Sequence, residues 1–166
     1  MSLPQQKFRE IVFQLLYSAD LAQGSRDATT AMVMKEVLVT KKTVKEAWER
    51  VDQILKELPS IDAAISDASQ SYRFERIQSI ERNVLRIGVY EILYDAAIPP
   101  KVAISEAVRL AKKFGTPEAT AFVNAILDLI YKTHEGETGD TQHLKETVEA
   151  LEKRDAFIEE SLSSGE

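Results

Sequence analysis

Residues 80–130 read IERNVLRIGVYEILYDAAIPPKVAISEAVRLAKKFGTPEATAFVNAILDLI. This stretch predicts three helices joined by two short, stiff connections. Pro99-Pro100 ends the first and opens the second, because proline clashes in a helix interior but suits a first helical position. Gly115-Thr116-Pro117 closes the second and opens the third, with glycine past the end, threonine as N-cap and proline just inside. Joints this short constrain how the three helices meet. The polar positions within them (Arg86, Glu91, Glu106, Lys112, Lys113 and Asn124) match none of the sets that carry out chemistry, which points to a binding module. Gly88 is the one local misfit. Glycine inside a helix costs about 1 kcal/mol against alanine, and close approach of a neighbouring helix is the simplest compensation, with backbone exposed to a partner as the alternative.

Working toward the N-terminus, Phe8, Ile11, Val12, Leu15, Leu16 and Ala19 form the stripe of an amphipathic helix from Pro4 to about Gln23. A shorter helix is expected over Ala28–Val39, with Met32, Val33, Val37 and Leu38 inward. Thr43 is a candidate cap for a third helix, with Glu46 at the capping-box position; Val44, Ala47, Trp48, Val51, Ile54, Leu55 and Leu58 form its stripe. Pro59 should stop it, and Ser60 should cap a fourth. Residues 71–76 read as an exposed join. No segment alternates with period two, so the expected fold is all-α, an irregular bundle of about seven helices.

The 166 residues are 44% apolar, enough for one core. There is no membrane-length apolar run and no hydrophobic N-terminal signal. The absence of cysteine excludes disulfides and thiolate metal sites and fits a cytoplasmic protein. The formal net charge of −6 is unevenly spread. Residues 134–166 hold ten acidic and three basic side chains, leaving residues 1–133 with a net of +1. The division expected is a body over 4–133 and an acidic linker and tail over 134–166. Within the tail, Leu144, Val148, Leu151 and Ile158 recur at helical spacing, which fits either a mobile acidic helix or an eighth helix docked on the body.

Catalysis finds little support. Both histidines, His134 and His143, lie in or near the linker, without the partners a metal site needs. The six glycines are too scattered for a phosphate loop or a dinucleotide fingerprint. No Gly-x-Ser-x-Gly elbow exists, and no core histidine could act as base for a serine. No enzyme, cofactor or metal is expected.

Nucleic acid is a better match to the residues. Lys7 and Arg9 lie on the first helix, with Tyr17 further along. Lys112 and Lys113 precede the helix start at Thr116-Pro117, whose unpaired N–H groups favour an anion. Single-stranded RNA is held by such contacts and by bases stacked on aromatic rings, for which Tyr17 and Phe122 are candidates. Each residue also has a structural reading, since lysines suit helix C-termini and Phe122 suits a core.

The runs ERNVLRIGVYEILY and IPPKVAISEAVRLAKKFGTPEATAFVNAILD, together with the opening QQKFREIVFQLLYSADL, resemble the NusB family of bacterial transcription antitermination factors over about residues 4–131. The resemblance implies two packed helical halves. It also implies a partnership with a small-subunit ribosomal protein acting as NusE, the pair binding the single-stranded boxA element of nascent RNA. The RNA-bound pair would join elongating RNA polymerase and other Nus factors, notably in ribosomal RNA transcription. By position, Lys7, Arg9, Tyr17, Glu118 and Phe122 would face RNA, with Lys113 beside them, and Glu75, Arg76 and Glu81 would face NusE.

Two departures stand out. The basic arm is thin, with only Lys7 and Arg9 where family members often carry an arginine-dense cluster, which implies weaker RNA binding alone and heavier dependence on NusE. The acidic tail lies outside the shared pattern, and its carboxylates are expected to compete with RNA for Lys7, Arg9 and Lys113. The alternative reading is a NusB-like protein-interaction or ribosomal-RNA-recognition module, such as fronts some RNA cytosine methyltransferases, with lost or weak RNA binding.

Overall fold

The computed structural model describes residues 3–22, 24–139 and 141–165. Over these it is all-α: α1 (Gln5–Asp20), α2 (Arg26–Val37), α3 (Lys41–Lys56), α4 (Leu58–Ala68), a 3-10 turn (Phe74–Arg76), α5 (Ser79–Tyr94), α6 (Pro100–Phe114), α7 (Pro117–His134) and α8 (Thr141–Ser164). The tail therefore supplies an eighth helix. Helices α1, α2 and α3 pack on one another, α6 and α7 pair with α5, α4 lies against α5 and α7, and α8 lies along α7.

Helix α5 joins the halves, because it touches α1, α3, α4, α6 and α7. A helix surrounded in this way buries polar positions along with apolar ones, and each buried polar group then needs a partner. Each of the four finds one on another helix. Glu91 takes Arg9 of α1. Arg86 takes Asp62 of α4 and Asp20 of α1. Asn83 also donates to Asp20, and Glu81 takes Arg154 of α8. Burial pushes the Asp20 carboxyl up, but hydrogen bonds from Arg82, Asn83 and Arg86 outweigh it and hold the group below its ordinary range.

The local signals mostly act as expected. Thr116 caps α7 by accepting from the Ala119 N–H at 3.2 Å. A Cβ on Gly88 would stand 2.7 Å from Leu127 Cδ1 and 3.3 Å from Ala107 Cβ, so close packing of α6 and α7 accounts for the glycine. Gly115 has ordinary negative φ, and its requirement is steric: a Cβ there would meet the Ala111 carbonyl oxygen at 3.0 Å.

Other signals need correction. Thr40, not Thr43, caps α3, accepting from the Thr43 N–H. Helix α4 starts at Leu58, and Pro59 sits in its first turn, where a missing N–H has no helical acceptor to lose. Ser60 is inside the helix, bonded to the Tyr94 hydroxyl at 2.6 Å. Leu38 ends α2 in the left-handed region (φ 57°), which turns its side chain into solvent, and Met32 is also exposed. Tyr72, within the join expected to be exposed, is buried edge-on to Phe122, with ring centroids 5.6 Å apart.

Candidate nucleic-acid interface

Lys7, on the first turns of α1, is half-buried and lines a cleft of about 490 Å³ with Gln6, Glu10, Gln14, Glu36 and Lys113. The two lysines come together because α1 lies beside the C-terminal end of α6, where Glu10 Oε2 accepts from Lys113 Nζ at 3.0 Å and Oε1 from Arg109 at 2.8 Å. Burial pushes Glu10 up, and the bonds from Arg109 and Lys113 then bring it below the usual carboxylate range, so it stays charged beside the lysines.

The cleft continues into a groove of about 510 Å³. Gln14 and Glu36 line both, and the groove adds Phe13, Tyr17, Met32, Ile80 and Phe114. Phe13 stacks on Phe114 with centroids 4.6 Å apart, and Tyr17 lies 5.9 Å from Phe13. The cleft carries two lysines and two glutamates, and it adjoins a groove lined by aromatic rings. Lysines beside aromatic rings are the kinds of side chain that hold a single strand, through its phosphates and base faces. At the other side of the Lys113 end, Lys112, Gly115, Thr116, Pro117 and Asn124 line a further hollow at the start of α7. Glu118 is half-buried in that first turn.

Two residues expected at this face have no side-chain surface on it. Arg9 is 8% exposed, its Nε donating to both Glu91 carboxylate oxygens at 3.1 Å, with Glu106 at 3.7 Å from Nη1. Phe122 is fully buried. Arg9 faces α5 through Glu91, and Phe122 faces Tyr72 in the core; side-chain type alone is compatible with either surface. Conversely, Phe13 and Phe114 belong to the groove but are not among the residues expected there, and Met32, expected inward, lines it as well. Phe114 carried one available signal, its place between Lys113 and Gly115 at the helix end.

On the neighbouring face, Glu75 and Arg76 are exposed on the 3-10 turn, while Glu81 is buried beneath α8. Among the described residues, the tail's acidic side chains pair away from the cleft. Glu152 and Asp155 approach Arg76, and Tyr72 donates its hydroxyl proton to Asp155, whereas Arg9 and Lys113 are held by Glu91, Glu106 and Glu10. Among the described residues, the ion pairs of the tail carboxylates Glu152 and Asp155 go to Arg76 and Arg154 and not to the cations expected to be contested with RNA. The described residues contain no cluster of metal-ligating side chains and no helix long and apolar enough to cross a membrane.

The NusB family model matches residues 6–132. The chain belongs to the NusB family. Curated relatives include the transcription antitermination protein NusB of Chlamydia pneumoniae, 37% identical over 128 residues, which span 77% of this chain and 80% of the relative. That of Nitratidesulfovibrio vulgaris is 38% identical over 138 residues, 77% of this chain and 88% of the relative. Among solved structures, T. maritima NusB superposes with a TM-score of 0.67 at 29% identity, covering 87% of this chain and 99% of that one. A complex of the antitermination factors NusB and NusE with double-stranded RNA contains a chain that matches at TM-score 0.65 and 28% identity, over 78% of this chain and 96% of that one. The NusB family is one of antitermination factors, not of enzymes.

Proposed function

We propose that this NusB-family chain binds single-stranded boxA RNA together with a NusE-type ribosomal protein. In that reading the pair joins the elongating RNA polymerase with other Nus factors in the cytoplasm, notably during ribosomal RNA synthesis. The observation that carries it is the Lys7–Lys113 cleft lying next to the Phe13–Tyr17–Phe114 groove, with Gln14 and Glu36 lining both, on the fold of a family with a member solved alongside NusE and RNA. We assign RNA contact to Lys7, Tyr17, Lys113 and Glu118, with the aromatic groove beside them. Arg9 and Phe122 are assigned to holding the helices that carry those residues. Glu75, Arg76 and Glu81 are assigned to the partner.

With Arg9 committed to Glu91, Lys7 is the remaining cation of the basic arm, so the chain alone should bind RNA weakly and depend on its partner. The test is a salt titration of boxA-like RNA binding with and without the NusE-type protein. Partner-dependent affinity that falls as salt rises is the expected result. Partner binding with no RNA affinity even at low salt would sink the RNA half of the reading.

A further inference from the structure

The contact between α8 and the start of α5 has an ion pair at its centre. Arg154 Nη1 lies 2.9 Å from Glu81 Oε1, with the two side chains only 7% and 4% exposed. The same nitrogen is 3.2 Å from the Thr116 hydroxyl, the cap of α7. Around this pair, Asp155 accepts from Tyr72, and Glu152 and Asp155 each stand 3.8 Å from Arg76. Three side chains of α8, Glu152, Arg154 and Asp155, thus engage the segment that contains Tyr72, Arg76 and Glu81.

The apolar part of the seat lies N-terminal to Arg154. Leu144, Val148 and Leu151 are buried with Thr147 between them, whereas Phe157 and Leu162 beyond Arg154 are more than two-thirds exposed. Helix α8 also lies wholly beyond the family match, which ends at residue 132, and the turn before it contains Gly136 in the left-handed region. It is an added helix, held by the buried Leu144, Val148 and Leu151, the Arg154–Glu81 ion pair and the Tyr72–Asp155 hydrogen bond. A buried ion pair contributes little net stability, because desolvation offsets the attraction. It does impose specificity: with α8 lifted, the Glu81 carboxylate becomes an anionic docking point that requires a cation.

We propose that α8 is a displaceable internal cover over the partner surface, with Arg154 standing in for an arginine or lysine of the NusE-type protein. The proposal rests on the assignment of Glu75, Arg76 and Glu81 to that partner. Docked α8 closes the surface, and the partner gains access by replacing Arg154 at Glu81. Apparent affinity is then reduced by the fraction of molecules with α8 undocked. Because Arg154 also touches Thr116, displacement alters the same helix start that carries Glu118.

The test uses the full chain in three forms: unaltered, Arg154→Ala, and the double variant Val148→Ser/Leu151→Ser, which loosens the apolar seat without adding charge. Binding of the purified NusE-type protein is measured by calorimetry, after thermal unfolding confirms that the body remains folded. Both variants should bind at least about tenfold more tightly than the unaltered chain. In the unaltered chain, amide protection over residues 144–155 should fall when the partner is added. Equal affinity in all three forms, or α8 protection retained in the complex, overturns the cover while leaving the partner assignment standing. Absence of binding in all three forms overturns the partner assignment and the cover with it.

Discussion

Replacing Arg9 with alanine separates a structural cation from an RNA-contacting one. Arg9 Nη2 lies 3.0 Å from Glu91 Oε1, and the two side chains are 9% and 5% exposed. Alanine would leave the Glu91 carboxylate buried without its guanidinium, a loss of about 3–5 kcal/mol for a buried pair broken on one side. At roughly 2–4 °C per kcal/mol for a chain of this size, Tm should fall by about 6–20 °C. The pH dependence has a definite sign. Burial pushes Glu91 above its ordinary range, and the Arg9 bonds offset only part of that rise. A carboxyl whose folded pKa exceeds its unfolded one favours folding below the unfolded pKa, and loses that contribution as pH rises through the folded pKa. Without Arg9 the folded pKa climbs further, so the deficit of R9A should be smaller at about pH 5 than at about pH 8. The double variant Arg9→Met/Glu91→Met, which removes both charges, should recover most of the loss. The assay is thermal and urea unfolding at both pH values, run alongside RNA binding. An R9A protein with unaltered Tm at the higher pH and reduced RNA affinity would refute the reasoning and return Arg9 to the RNA face.

Lys7→Ala should leave stability unchanged and flatten the salt dependence of RNA binding by about 0.7 log units per log of salt, one single-strand phosphate contact; an unchanged slope would remove Lys7 from the interface. Gly88→Ala gains about 1 kcal/mol of helix propensity. The new Cβ must also push aside Leu127 Cδ1, 2.7 Å away, while itself standing 3.3 Å from the Ala107 Cβ. Overpacking of that kind costs about 1–3 kcal/mol, so urea unfolding should show a net loss of about 1 kcal/mol. Asp20 is held below its ordinary range, so its contribution is present above the unfolded pKa and is lost as pH falls through the folded one. Asp20→Asn should therefore lower stability at neutral pH by about 2 kcal/mol and flatten the acid limb of the stability curve; a parallel acid limb in the two proteins would show that Asp20 does not drive it.

Much of the fold was legible before any coordinates. The stripes of α1 and α3 and the breaks at Pro99-Pro100 and Gly115-Thr116-Pro117 all follow from local rules, whereas the packing at Gly88 needed Leu127 and Ala107 from other helices. Spacing along a helix sets which residues share a face, and proline, glycine and threonine act within a turn or two of themselves. The errors were also local in kind: Thr43 in place of Thr40, and Pro59 as a stop when a first helical turn tolerates it. The family could be read from motifs such as IPPKVAISEAV and FVNAILD because those residues recur in order, independent of the tail.

Side-chain type does not carry burial, and burial decided the site. Arg9 and Lys7 are both cations on α1, yet Arg9 faces Glu91 across a closed interface while Lys7 faces the cleft. Phe122 and Phe114 are both aromatic, and the packing of α7 against the rest of the core buries one while the end of α6 leaves the other beside a groove. The charge of the tail could be counted from the sequence, but its destination could not. Arg154 finds Glu81 from 73 positions away, and a pairing at that separation is set by how helices meet in space, not by any period along the chain.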